Sequence, residues 1–269
     1  MPRAIVIRAP GTNCEQEMLR GFELAGAKAE LHHLDALIRE PSRLDPFDLI
    51  GFPGGFSYGD DIASGRIFAM KLRRGLYPAL RAALDRGCLM IGACNGFQTM
   101  VQAGLLPGPG PGEPWPEEPP AQSVALTANS SGRFRDCWVP VTYNASSRCV
   151  WTRGLQDLYR DEADAALMLP VAHGEGRFSA PPEVIRSLVD SGRVAVSYGD
   201  NFNGSAESIA GICDASGRVF ALMPHPERFL EWNRHPAWTR LPERLRALPT
   251  PGTVIFRNAV EAAAGVAGR

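Results

Sequence analysis

Along the first hundred residues, short apolar runs alternate with stretches of helical period. "RAIVIRA", "AELHHL", "FDLIGF" and "CLMIGA" are each short enough, and apolar enough, to be buried strands. Between the first two, Met18, Leu19, Phe22 and Ala25 mark one helical face in a segment that begins "GTNCEQE". Thr12 and Glu15 have capping-box spacing at its start. A second helix is predicted from about Ile67 to Leu84, and a third from Asn95 to Ala103, stopped by Gly104. Strands alternating with helices predict an α/β fold with an open, mostly parallel sheet flanked by helices. Past residue 120 the texture becomes more β-like, in "SVALTANSSGRF", "DCWVPVTY", "ALMLPVAHGEGRF", "RVAVSYG", "SIAGICD" and "RVFALMPHPER". The helical pattern "VIFRNAVEAAAG" closes the chain. No repeat or domain boundary is visible, so 1–269 reads as one domain.

One segment breaks the pattern. "LPGPGPGEPWPEEPP", residues 106–120, is too rich in proline and glycine for a helix or an interior strand. Residues 107–120 are expected to be an extended, mobile surface loop.

Composition narrows the class of function. The chain of 269 residues is 45% apolar and 21% charged, with net charge −1, and offers no electrostatic footprint for nucleic acid. No apolar run approaches the ~20 residues that span a bilayer, and the N-terminus lacks a signal-peptide pattern. A cytoplasmic protein without membrane contact is expected. The six cysteines include no CxxC pair, so no metal site is expected, and the thiols should be reduced.

The candidate chemistry starts at "CLMIGACNGFQ". Cys94 stands where a strand-like run gives way to a helix-like one, a turn expected to lift its sulfur out of the sheet edge toward solvent. A helix N-terminus there lowers a thiol's pKa, and the following N–H groups face a developing oxyanion. Gly92, Ala93 and Gly96 are small, as a crowded nucleophile turn requires. A nucleophile also needs a base and a group to hold it. In "MPHPER", Pro224 and Pro226 keep His225 extended, so that Glu227, two residues on, projects to the same side. Two glycines follow the third strand in "FPGGFSYGD"; an N–H of Gly54 or Gly55, paired with that of Asn95, would form a two-donor oxyanion hole. Other candidates rank lower. Cys14 near a helix start reads as structural or a peripheral pocket residue, and His173 as a satisfied loop histidine. Of His32 and His33 at most one faces any pocket, and His235 packs in a tryptophan-rich connector.

The ordered set "PGGFSYGD", "GACNGFQ", "NSSGRF", "AHGEGRF", "FNGS…IAGI" and "MPHPER" resembles the glutaminase subunits of phosphoribosylformylglycinamidine synthase, a family of class I (triad) glutamine amidotransferases. The likeness runs from about Ala4 to Arg228 and weakly through "IFRNAVE". It implies a flavodoxin-like core, with Cys94 as nucleophile, His225 as base and later acid, and Glu227 as the orienting carboxylate. Gln98, closing the Cys-x-Gly-x-Gln frame, would help bind L-glutamine, and "NSSGRF" would line the pocket. The implied partners are a synthetase subunit, which holds ATP and magnesium, and a small bridging subunit. No cofactor is expected in this chain, which contains no G-x-x-x-x-G-K-[ST] loop. Because nothing precedes the first strand, a separate subunit is expected. The alternatives are another triad-type amidotransferase, a cysteine peptidase or γ-glutamyl hydrolase of similar fold, or a non-catalytic interaction subunit.

Overall fold

Strands form on the apolar runs, because a strand covered on both faces needs a nearly continuous apolar sequence. In the computed structural model, which describes residues 1–267, these are β1 (Arg3–Arg8), β2 (Lys28–His33), β3 (Leu49–Phe52) and β4 (Leu89–Ala93). β3 and β4 are buried throughout, whereas β2, with Lys28 and Glu30, is a half-covered edge. The helices among them are α1 (Glu15–Leu24), α2 (Leu34–Arg39), α3 (Arg66–Gly75), α4 (Tyr77–Asp85) and α5 (Asn95–Ala103). Then come β5 (Ala125–Thr127), β6 (Arg135–Tyr143), β7 (Met168–His173), β8 (Arg177–Ser179), β9 (Val194–Tyr198), β10 (Ile209–Cys213) and β11 (Val219–Leu222). A final helix covers Pro251–Ala267.

Among the described residues, nine strands make one sheet in the order β2-β1-β3-β4-β11-β10-β9-β6-β7, and β5 pairs with β8 separately. The first five are mutually parallel, and the remainder join antiparallel. β6 changes partner along its length. Arg135–Pro140 pairs with β7, while Val141–Tyr143 pairs with β9. Pro140, which has no N–H to continue a ladder, marks the switch. The β6–β7 hairpin thereby becomes an arm that reaches back to β11: the N–H of His225 donates to the carbonyl of Pro170 on β7 at 2.8 Å.

Local expectations differ in three places. The helix predicted over 67–84 is two helices, broken at Leu76 (φ −132°), because Pro78 cannot donate to the carbonyl of Arg74 and its ring would clash there. No capping box forms at α1. The Thr12 hydroxyl donates to the carbonyl of Ala9 at 2.9 Å, and Cys14 occupies the cap position. The proline-rich loop has no regular structure, as its composition requires, but it is tied down. Arg73 donates to the carbonyls of Pro119 and Pro120 at 3.2 and 2.8 Å, and the Tyr77 hydroxyl donates to that of Pro116 at 3.1 Å. No helix among the described residues is long and apolar enough to cross a membrane.

Candidate active site

Parallel neighbours β1, β3, β4 and β11 all end on the same edge of the sheet, where open α/β sheets bind ligands. The segments leaving these ends carry, in that order, Cys14, Gly54, Cys94 and His225. With strands about 4.8 Å apart, residues remote in sequence become neighbours.

Cys94 caps α5 at φ 49°, ψ −107°, a conformation that costs an ordinary side chain roughly 1–3 kcal/mol. Packing enforces it. A Cβ on Gly96 would lie 2.0 Å from the carbonyl oxygen of Phe52, so only glycine lets α5 start this close to the end of β3. The expected elbow is present, but the thiol is recessed rather than raised to solvent. The residue is 5% exposed, and Sγ lies 3.6 Å from the carbonyl oxygen of Ala172 on the arm.

The His225–Glu227 pair forms by a different route from the extended segment expected. Pro226–Arg228 is a short 3₁₀ turn, closed by the N–H of Arg228 donating to the carbonyl of His225. That turn brings Oε1 of Glu227 within 2.6 Å of Nδ1 of His225, with both side chains almost wholly buried. The carboxylate is the acceptor, so Nδ1 carries a proton and Nε2 is the nitrogen left over. Nε2 is buried without a hydrogen-bond partner. Burial pulls the His225 pKa down, but the Glu227 and Cys94 charges, with the polar sulfurs of Cys14 and Cys94 nearby, outweigh it. The pKa ends well above the ordinary histidine value. The Cys94 contact is too loose to count as a formed hydrogen bond, and such contacts tighten once substrate is bound.

Gly54 lies against the imidazole: a Cβ there would meet Cε1 of His225 at 2.7 Å and Sγ of Cys14 at 3.3 Å. Gly55 follows at φ 133° and bridges to Thr12. Asn95 opens α5, so its N–H is one of the helix's free donors. Its side chain is fixed, with Oδ1 accepting from the N–H of Ser57 and Nδ2 donating to Asp60 and Gln98. That latch accounts for the polar residues after the two glycines. Burial raises the Asp60 pKa, countered by a hydrogen bond from Ser64. Gln98 is buried, and its amide donates to the carbonyl of Glu175 at 2.6 Å while accepting from Asn95. It braces the "HGEG" loop against the elbow.

His173 and Cys14, ranked lower in the sequence, both lie next to His225 in the structure. His173 is buried beside His225, and its Nδ1 meets Oδ1 of Asn129, which already accepts from the N–H of Gly176. Nδ1 is therefore the protonated nitrogen, and Nε2 presents an unpartnered lone pair. Burial, reinforced by the charge on His225, pushes the His173 pKa down to about 4. The unfolded chain protonates this group near pH 6.5 while the folded chain resists until about pH 4. Stability should fall over that interval as acid is added, by about 3 kcal/mol. His173→Gln should flatten this part of the urea-midpoint curve; an unchanged curve would place the titration elsewhere. Cys14, ranked structural or peripheral, lies 3.9 Å from Nδ1 of His225. The buried Tyr198 hydroxyl has no partner, and its pKa is raised by burial and by the charge of Cys94. Among the remaining histidines, His32 faces Glu30 and Phe47, His33 caps α2, and His235 packs on Trp138 and Phe229.

Comparisons with known proteins agree on the family of the chain. A CobB/CobQ-like glutamine amidotransferase domain matches residues 1–261. The chain is 42% identical over 266 residues to the phosphoribosylformylglycinamidine synthase subunit PurQ of Dehalococcoides mccartyi, with 96% of each chain covered. It is 36% identical over 282 residues to PurQ of Methanococcus maripaludis, with 97% of each covered. The solved structure of PurLQS from Thermotoga maritima superposes with a TM-score of 0.68 at 30% identity, covering 97% of this chain and 98% of that one.

Proposed function

The chain belongs to the CobB/CobQ-like glutamine amidotransferases and, among them, to the PurQ glutaminase subunits, and we propose from this premise how its residues carry out the reaction. It hydrolyses L-glutamine to glutamate and ammonia as the glutaminase subunit of phosphoribosylformylglycinamidine synthase, in purine biosynthesis. The ammonia passes to the synthetase subunit, which uses ATP and magnesium to make formylglycinamidine ribonucleotide. A small third subunit bridges the two, in keeping with the three-letter PurLQS assembly of the relative.

The observation that carries the mechanism is the buried 2.6 Å contact between His225 and Glu227, with Nε2 left unpartnered next to Cys94. Nε2 takes the Cys94 proton as Sγ attacks the side-chain carboxamide carbon of glutamine. The N–H of Asn95, with that of Gly54 or Gly55, receives the oxyanion. Collapse breaks the C–N bond, and the same proton goes to the departing nitrogen, which leaves as ammonia. Water then gives a proton to Nε2 and attacks the γ-glutamyl thioester. Glutamate departs, and the proton returns to sulfur. The charge of Glu227 holds the ring in the Nδ1–H form and stabilises the imidazolium in both halves.

Two tests bear on this reading. A glutamine-derived electrophile should inactivate the chain with its label on Cys94 in peptide mapping, and the synthetase should raise glutamine turnover. Label on Cys14, or turnover indifferent to the synthetase, would overturn it. Gly54→Ala should lower kcat about 10²-fold by pushing the imidazole aside, with little loss of fold. An unchanged kcat would mean that the ring has another resting place.

A further inference from the structure

Behind the imidazole, away from its free nitrogen, lies a second buried sulfur. Cys14 is fully buried at the start of α1, its N–H donates to the carbonyl of Gly54 at 3.4 Å, and its Sγ lies 3.9 Å from Nδ1 of His225. The same sulfur accepts from the Arg228 guanidinium at 3.0 Å and faces Oδ1 of Asn13 at 3.1 Å. Arg228 directly follows Glu227, whose Oε2 is buried and without a partner. The Arg228 guanidinium lies within reach of the Glu227 charge but makes no ion pair with that carboxylate. It is held on sulfur instead.

We propose that Cys14 is a positioning residue for glutamine hydrolysis: by anchoring Arg228 it keeps the guanidinium off Glu227 and so reserves the carboxylate for His225. The inference rests on the triad reading above. Sγ of Cys14, His225 and Glu227 lie close enough together to chelate an ion. The Arg228 contact puts positive charge against that sulfur, which favours a hydrogen-bonded cluster over a cation site. If the anchor is lost, Arg228 swings to Oε2 and the pull of Glu227 on the imidazolium weakens. The groups facing the imidazole are Glu227, Cys94, Cys14 and His173, with Arg228 behind Cys14. Neutral His225 would then persist to lower pH.

The test is steady-state glutamine hydrolysis by the reconstituted synthase, with ammonia-dependent synthesis measured on the same preparations as a check of folding. Cys14→Ala should lower kcat about tenfold, leave KM for glutamine within about twofold, and move the acid limb of the kcat profile to lower pH. Cys14→Ser, which keeps a polar atom for Arg228, should remain within about threefold of wild type with its limb in place. Cys14→Val keeps the volume and carries the alanine expectation should that variant not assemble. Wild-type kcat and limb in the apolar variants would overturn the proposal. So would equal losses in all variants with an unmoved limb, which is the signature of packing alone. A wild-type chain that hydrolysed no glutamine would instead remove the triad reading, and this inference with it.

Discussion

Replacing Cys94 by alanine should abolish glutamine-dependent synthesis, by roughly 10⁶-fold, while ammonia-dependent synthesis by the reconstituted synthase continues. The size follows from the absence of a substitute. The left-handed backbone at this position aims one side chain at the arm, and alanine offers the substrate no nucleophile. Ammonia supplied directly bypasses the whole site. The substitution removes only the sulfur and keeps Cβ, so the fold should persist. Both activities measured on the same preparation decide the matter; their joint disappearance would point to a folding defect or to another role for the elbow.

Glu227→Gln should cost roughly 10³- to 10⁴-fold in kcat with KM for glutamine little changed. The glutamine side chain fits the same space and can still accept from Nδ1–H, but it no longer stabilises an imidazolium. The sign of the accompanying pH effect is fixed by the contact. The carboxylate raises the His225 pKa against the opposing effect of burial, so neutralising it lets the ring stay unprotonated to lower pH. The acid limb of kcat should therefore move down as the plateau falls. A defect confined to KM would show Glu227 acting on substrate rather than through the histidine.

Much of this site is legible in the sequence, because its parts sit where hydrophobic period changes. Cys94 stands at such a change, and the glycines after β3 and the histidine after β11 follow apolar runs that end abruptly. Parallel pairing then brings those ends together, as a sheet of this class requires. The details that escaped depend on contacts between distant segments. His225 meets Glu227 through a 3₁₀ turn, though the flanking prolines suggested an extended strand. Cys14 and Arg228 are separated by most of the chain and meet only because the loops after β1 and β11 share one edge. The Thr12 capping box fails because the N–H groups of Asn13 and Cys14 go to the carbonyl of Gly54, which draws the turn toward the histidine instead. The arm is not evident in advance, since Pro140 in "DCWVPVTY" marks a break in pairing but does not say which strands pair on either side of it.

The arm makes the enclosure a composite of two differently supported walls. Three parallel strands, packed from both sides, fix the thiol, the ring and the glycine below it. The opposing wall hangs from a single bent ribbon whose root, β6, is separated from β11 by β10 and β9. One main-chain hydrogen bond, from His225 to Pro170, ties the middle of the ribbon to the rigid side. Two carbonyls of that ribbon, those of Ala172 and Pro170, thus meet the sulfur and the histidine backbone, so one element sets the position of both against the far wall.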